Sequence, residues 1–344
     1  MSKPKVSVLM SVRDGERFLS RSVPSILDQT FDDFEFIIVD DGSADGTRGR
    51  ILEFADMDSR VVPLALDSNI GLTAALNLGL EKARGEYIAR QDADDLSAPR
   101  RLDCQVEFLD SRLEIGVCGT RFWVATEDWA PVFSFSFPKD DVGIKRLLKR
   151  GVNPIAHGSA MFRRSALEGL SFPRYRFRYG QDYDLWSRFS EKTRLAVLPE
   201  ELYLYRRGRG SVGVGVAAAR SELKGLMLAL SEERRRGGSE SLDWGLEEER
   251  ILSEFGGVEE GEKMKSYSGA LLELLLGNRV DAKEKARLAT GKTAAAVGFL
   301  ASLPFGTAIA RTAHLALSPY SGVKWANAET ARFWSVIGGF RGGK

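Results

Sequence analysis

Phe34-Glu-Phe-Ile-Ile-Val-Asp-Asp-Gly-Ser43 is an apolar run cut off by turn residues. Phe34 to Val39 is rich in β-branched and aromatic side chains, and Asp40-Asp-Gly-Ser43 ends the strand abruptly. Upstream, Lys5 to Val12 reads as an earlier strand that stops at Arg13-Asp-Gly-Glu16. Between them Phe18, Leu19, Ser22, Val23, Ile26 and Leu27 recur at helical spacing, with Pro24 inside, where it should cost a hydrogen bond and kink the axis. Downstream, the pattern predicts a helix from Thr47 to Ala55, a strand near Val61 to Ala65, and an amphipathic helix carrying Leu72, Leu76 and Leu80. Glu86 to Arg90 makes a further strand, which stops at Gln91-Asp-Ala-Asp-Asp95. A helix from Arg100 to Leu109 follows, with Ser97 as its expected N-cap and Pro99 in its first turn.

Strands separated by helices of this length predict an α/β fold, a mostly parallel sheet flanked by helices. In such sheets ligands bind beyond the carboxyl ends of the strands. Polar or acidic clusters follow three of the strands, at Arg13-Asp14, Asp40-Asp41 and Asp92 to Asp95, and are expected to converge on one edge.

Composition narrows the chemistry. At 344 residues the chain is long enough for about two domains. Forty-nine basic side chains against 48 acidic ones leave a net charge of +1, which argues against a dedicated nucleic-acid binder. Two cysteines (Cys104, Cys118) and two histidines (His157, His314) cannot build a disulfide scaffold, a zinc ribbon or a histidine-rich metal site. Acid-base or metal chemistry must therefore rest on carboxylates. The apolar stretch Val6 to Val12 is too short for a signal peptide, so a reducing, cytoplasmic compartment is expected.

Asp92-Ala-Asp94 offers hard oxygen ligands suited to magnesium or manganese, which bridge diphosphate oxygens. If the strand continues, residues i and i+2 share a face and both carboxylates meet one site. A solvated acidic turn that caps the next helix is the plainer alternative. Asp40 and Asp41 read either as turn-capping residues or as acceptors for the N–H of a nucleobase. Asp182 precedes the apolar helical face of Leu185, Trp186 and Phe189; it is an N-cap or a carboxylate at the mouth of a cleft.

Taken in order, these stretches resemble glycosyltransferase family 2, the inverting sugar transferases of GT-A fold that build bacterial polysaccharides and glycolipids. The resemblance is carried by Val6 to Met10, Ile37-Ile-Val-Asp-Asp-Gly-Ser43 with Asp45 and Gly46, Asn69-x-Gly71-Leu72, and Ala74-x-x-x-Leu78 through Gly85-Glu-Tyr-Ile-Ala-Arg90. It continues through Asp92-Ala-Asp-Asp95, Pro99-x-Arg101-Leu102, Gln105, Asn153-Pro-Ile-Ala-His157, Gln181-Asp-Tyr-Asp-Leu-Trp186, Tyr205-Arg206 and Gly210-Ser211. It covers residues 4 to 212, so a GT-A domain is expected over 1–212 (nucleotide-sugar half 1–97, acceptor half 98–212), with a helical extension over 213–344.

The resemblance implies a nucleotide-diphosphate sugar donor, Mg2+ or Mn2+, and a hydroxyl acceptor on a saccharide or glycolipid. By motif position, Ser11, Arg13, Asp40, Asp41, Asp92 and Asp94 bind the donor, with Asp40 on the base. Asp92 and Asp94 hold the ribose and the metal, Asp94 being the direct ligand. Asp182 is the general base, and His157, Gln181 and Arg206 are further substrate contacts. Burial beside Tyr183 and Trp186 is expected to raise the pKa of Asp182 from about 3.9. The chain departs from the family in three places. Arg13 replaces an aromatic residue that stacks on the base, Gln181 replaces a glutamate, and Arg207-Gly208-Arg209 stands where a histidine usually follows. Two other readings stay open, a polyprenyl-phosphate glycosyltransferase and a non-catalytic nucleotide-sugar-binding subunit.

Residues 213–344 lie outside the resemblance. Thr293 to Leu303 and Phe305 to Leu317 are apolar but broken by Pro304 and Arg311, too short to span a bilayer. They are expected to pack as helices on the catalytic domain or, through 290–320, to lie on the inner face of a membrane, with Arg279, Lys283, Lys285, Arg287 and Lys292 attracting anionic lipid. Gly291-Lys-Thr293 resembles the tail of a P-loop, but Ala286 stands where its first glycine should be.

Overall fold

Nearly every residue of β1 (Val6–Val12) and all seven of β2 (Phe34–Asp40) are buried. A central parallel strand has no solvent face, which is why both read as unbroken apolar runs. They belong to a computed structural model that describes residues 3–135, 137–168, 170, 175–207, 217–237, 243–255 and 323–337. α1 (Glu16–Leu27) joins β1 to β2, and α2 (Thr47–Met57), β3 (Val61–Ala65), α3 (Leu72–Lys82) and β4 (Tyr87–Arg90) continue the alternation. β1 pairs in parallel with β2 and β4, and β2 with β3.

Past β4 the chain turns antiparallel. β5 (Leu96–Ser97), α4 (Arg101–Asp110), β6 (Ile115–Ala125), β7 (Pro131–Phe135), α5 (Asp141–Lys149), β8 (Met161–Arg163), α6 (Gln181–Lys192) and β9 (Arg194–Arg206) complete this part. The sheet runs β7-β6-β8-β4-β1-β2-β3, and β9 pairs with β5 and β6. β8, antiparallel to both β4 and β6, delivers the loop before it to the carboxyl end of β4.

The core forms on both sheet faces. Val8, Met10, Phe36 and Ile38 meet Leu19, Val23 and Ile26 of α1, Ile51 and Phe54 of α2, and Leu102, Val106 and Leu109 of α4. On the other face α3 approaches β1 so closely at Gly79 that any Cβ there would overlap the Leu9 side chain. α3 therefore packs against the sheet at Gly79 and turns Thr73 and Asn77 toward residues 175–177. Thr73 Oγ1 donates to the Phe177 carbonyl (2.6 Å), and the Asn77 amide exchanges two hydrogen bonds with the Tyr175 backbone.

The chain divides into two compact units, residues 1–124, 129–206 and 326–344 in one and 125–128 and 207–325 in the other. In the second, α7 (Ala217–Arg235) and α8 (Trp244–Phe255) pack together, burying Leu223, Met227, Leu230 and Ile251; β10 (Val323–Trp325) is also described there. α9 (Ala328–Val336) belongs to the first unit, where it packs on β7. The membrane-contact expectation for 290–320 and the junction expected between 212 and 213 lie outside the described residues. Among the described residues no helix is long and apolar enough to cross a membrane.

Two local expectations are corrected. Ser97 is not a helix cap: it lies in β5, donates to Gln91 Oε1 (2.6 Å) and accepts from Arg101, while α4 starts from Arg100 with no side-chain cap. Asp92 and Asp94 do not share a strand face. β4 ends at Arg90, and the Asp95 N–H closes a turn onto the Asp92 carbonyl (3.3 Å). The turn, not the pleat, brings these carboxylates together.

Candidate active site

The carboxyl ends of β1, β2 and β4 lie side by side, with Val12 opposite Asp40 and Leu9 opposite Arg90. All three polar clusters expected at one edge are therefore there. The turn after β2 is held by its own carboxylates. Asp40, 2% exposed, accepts from the Ser43 N–H (3.1 Å), and Asp41 accepts from the N–H groups of Ile70 (2.7 Å) and Gly71 (3.0 Å) ahead of α3. Gly42 has φ of +66°, and a Cβ there would lie 2.5 Å from the Ser68 carbonyl carbon, so only glycine fits. Asp14, also left-handed at φ 48°, locks this turn to the end of β1: its N–H donates to Ser43 Oγ (3.0 Å) and its carboxylate accepts from the Ala44 N–H (2.8 Å). Ser11 is half-buried in β1 opposite Val39. Arg13 is exposed, 3.6 Å from Asp14.

The turn after β4 is built on two arginines. Arg90 is fully buried at a strand end and reaches four groups: the carbonyls of Leu9 and Gln91, His157 Nε2 (3.1 Å), and Asp92 Oδ1 (2.7 Å). Arg101, also fully buried, ties the carbonyls of Arg90 (2.6 Å) and Gly158 (2.7 Å) to Gln91 and Ser97. Between them these guanidinium groups fix the base of the Asp92 turn and the loop before β8. Asp95, buried, accepts from the Tyr203 hydroxyl (2.8 Å) and the Arg206 N–H (2.7 Å). Burial, and then the charges of Asp94 and Asp92, push its carboxyl well above the usual range.

Asp94 is about one-third exposed, and its Oδ2 meets Arg206 Nη1 at 3.3 Å. Burial and then the charge of Asp92 raise its pKa against the opposing pull of Arg206. Two neighbouring, partly exposed carboxylates, the charge of one raising the pKa of the other, fit a hard divalent cation. Magnesium-type sites commonly take only one or two carboxylates and draw the remaining ligands from phosphate and water. Among the described residues no cluster of three or more such ligands occurs.

The opposite wall comes from the start of α6 and the loop before β8. Gly180, with φ of 74°, starts α6, so Asp182 is the second helical residue and not the cap. Asn153 Nδ2 donates to Asp182 Oδ2 (2.6 Å), and Oδ1 accepts from the Tyr183 N–H (2.8 Å). Burial raises the Asp182 pKa, the charge of Asp92 raises it further, and these two hydrogen bonds oppose the rise. Gln181 is half-buried beside it. His157 faces inward: its Nε2 accepts from Arg90 and meets the Tyr175 hydroxyl at 3.1 Å, and its ring packs edge-on against Tyr175 and Trp186. Burial and then the Arg90 charge hold it well below 6.5, so it is neutral.

Sequence patterns gave no role to Arg90, Tyr175, Trp129, Tyr203 or Gly158. Arg90 carried a signal, a lone charge closing an apolar strand, which a buried position must pair. Trp129, Tyr175 and Tyr203 arrive from distant segments, with no local pattern to mark them.

The sequence profile of glycosyl transferase family 2 matches residues 7–171. A putative glycosyltransferase of Bacillus subtilis, EpsE, is 40% identical over 209 residues, 60% of this chain and 74% of its own. The chain belongs to glycosyl transferase family 2. As a member it is a glycosyltransferase, and its fold is GT-A. The crystal structure of Staphylococcus aureus TarS 1–349 in complex with UDP-GlcNAc shares that fold with a TM-score of 0.52 at 17% identity, over 90% of this chain and 92% of that one. The mannosyltransferase PcManGT of Pyrobaculum calidifontis, solved with GDP-Man and Mn2+, superposes with a TM-score of 0.50 at 18% identity, over 97% and 86% of the two chains.

Proposed function

We propose that this family 2 enzyme is an inverting transferase that moves a sugar from a nucleotide-diphosphate donor to a hydroxyl on a saccharide or glycolipid. The observation that carries the reading is the placement of Asp182. Its carboxylate is held by Asn153, within electrostatic reach of Asp92 across the site. The donor's base would lie over the Asp40–Ser43 turn, with Ser11, Arg13 and Asp41 around it. Its ribose and diphosphate would reach Asp92 and Asp94. Asp92 and Asp94 would hold a magnesium or manganese ion, which when bound stabilises charge on the departing diphosphate.

Asp182 then takes the proton of the acceptor hydroxyl as that oxygen attacks the anomeric carbon from the face opposite the diphosphate. One bond forms as the other breaks, and the configuration inverts. A carboxylate with a raised pKa is a better base than an ordinary aspartate, and burial supplies that rise. Asn153 and the Tyr183 N–H fix the two carboxylate oxygens of Asp182, while Arg90, itself met by His157, holds Asp92. Gln181 and Arg206 are further substrate contacts in this reading, and the acceptor would enter on the α6 side. Association with a membrane surface belongs to the same reading, for a lipid-linked acceptor.

The test is the anomeric configuration of the product, followed by proton NMR with UDP-, GDP-, dTDP- and CDP-sugars and saccharide or lipid-linked acceptors. Inversion is expected; a product that keeps the donor's configuration refutes the single displacement. A donor that binds but is never turned over would favour a binding subunit.

A further inference from the structure

Arg206 ends β9 with its side chain only 7% exposed. Its guanidinium lies over the Phe18 ring at 4.5 Å and the Trp129 ring at 5.4 Å. The shelf is itself anchored. Phe18 and Trp129 meet edge-on at 6.1 Å, the Trp129 indole donates to the Asp94 carbonyl (2.9 Å), and the Arg206 N–H donates to Asp95. Trp129 has φ of 58°, a left-handed conformation that a bulky residue keeps only where its surroundings impose it.

The two arginines of the acidic turn differ. Arg90 grips Asp92 at 2.7 Å from a fully buried position, whereas Arg206 stands 3.3 Å from Asp94. A charge-assisted N–H to carboxylate bond is normally about 2.7–2.9 Å. Asp92 thus has a fixed partner and Asp94 a loose one. A guanidinium held by two ring faces keeps its place when its hydrogen-bond partner changes, because the stacking does not depend on which oxygen it meets.

We propose that Arg206 is an exchangeable countercharge. It neutralises Asp94 until a divalent cation takes that carboxylate, and then turns, still on the Phe18–Trp129 shelf, to the diphosphate of the donor. The inference rests on Asp92 and Asp94 being cation ligands. Its consequence is coupling: cation and diphosphate bind together better than separately, since each draws off a competitor of the other.

Two titrations of the full chain test this: manganese alone, followed by electron paramagnetic resonance of the free ion, and pyrophosphate in metal-free buffer, followed by calorimetry. Arg206→Gln should bind manganese about tenfold tighter and pyrophosphate about tenfold weaker, opposite signs that a folding defect would not produce. Arg206→Lys keeps the charge beside Asp94 but loses the planar group that stacks on the shelf, so manganese affinity should stay within about threefold of the wild type while pyrophosphate binding weakens. Manganese affinity in Arg206→Gln that is unchanged or weaker overturns the exchange, whatever pyrophosphate does. Manganese binding that persists in Asp94→Asn, or is missing from every variant, overturns the ligand assignment beneath it. That failure is distinguishable because it does not depend on Arg206.

Discussion

A methyl group added at Gly158 would overlap the Tyr203 hydroxyl and lie 2.5 Å from Tyr203 Cζ and 2.9 Å from Asp92 Oδ2. Tyr203 is fully buried and cannot swing into solvent. Its hydroxyl also donates to Asp95 (2.8 Å) and accepts from the Asp92 N–H (3.3 Å). Gly158→Ala must therefore displace either this ring or the Asp92 turn. Overpacking costs about 1–3 kcal/mol, and a lost buried hydrogen bond adds about 1–3 kcal/mol. A total near 3 kcal/mol lowers the melting temperature by roughly 6–12 °C for a unit of this size. The assay is thermal unfolding of Gly158→Ala, Tyr203→Phe and the double variant. Removing the hydroxyl relieves part of the collision, so the double variant should be less destabilised than the sum of the singles by about 1 kcal/mol. A Gly158→Ala melting temperature within about 1 °C of the wild type would refute the packing argument.

Other perturbations read other parts of the site. The hydrogen bond from Asn153 opposes the rise in the Asp182 pKa, so Asn153→Ala should let that pKa rise further and move the acid limb of the turnover–pH profile to higher pH. An unmoved limb would mean that Asp182 is not the group titrating. His157 is neutral in the fold, held below 6.5 by burial and Arg90. Its contribution is present above that value and lost as pH falls below it, because the unfolded chain then binds the extra proton. His157→Gln should flatten the fall in urea midpoint between pH 7 and pH 5, and an unchanged slope would contradict the assignment. Asp184, 1% exposed, holds Arg176 (2.6 Å) and Arg188 (2.9 Å) and so fixes the segment that carries Tyr175. Asp184→Asn should cost about 3–5 kcal/mol in urea unfolding; a loss below about 1 kcal/mol, the surface-pair scale, would show that the cluster does not hold that segment.

The first hundred residues were legible because each element repeats one physical pattern. Ile37 to Val39 and Val8 to Met10 are buried on both faces and read as strands; the spacing of Leu72, Leu76 and Leu80 marked α3. Asp40, Asp92 and Asp94 were legible as strand-end carboxylates. What failed was local detail. Ser97 looked like a cap, but its hydroxyl is drawn to Gln91 and Arg101, partners set by tertiary packing. The strand-face argument for Asp92 and Asp94 failed because the pleat ends at Arg90, as the pattern itself marked, and Arg90 turns inward to pair with His157 and Asp92. The shelf under Arg206 was illegible because Phe18, Trp129 and Arg206 come from three remote segments, and no spacing rule links them.

The central claim is that Asp182 is the base of a transferase whose donor is held elsewhere. The direct measurement is donor affinity and transfer rate in Asp182→Asn, which keeps the side-chain size and can still hydrogen-bond Asn153. The account predicts an unchanged donor dissociation constant and a transfer rate lower by about 10²–10⁴-fold to a hydroxyl acceptor. Transfer near the wild-type rate would contradict it and point to an acceptor that arrives already ionised, such as a lipid phosphate.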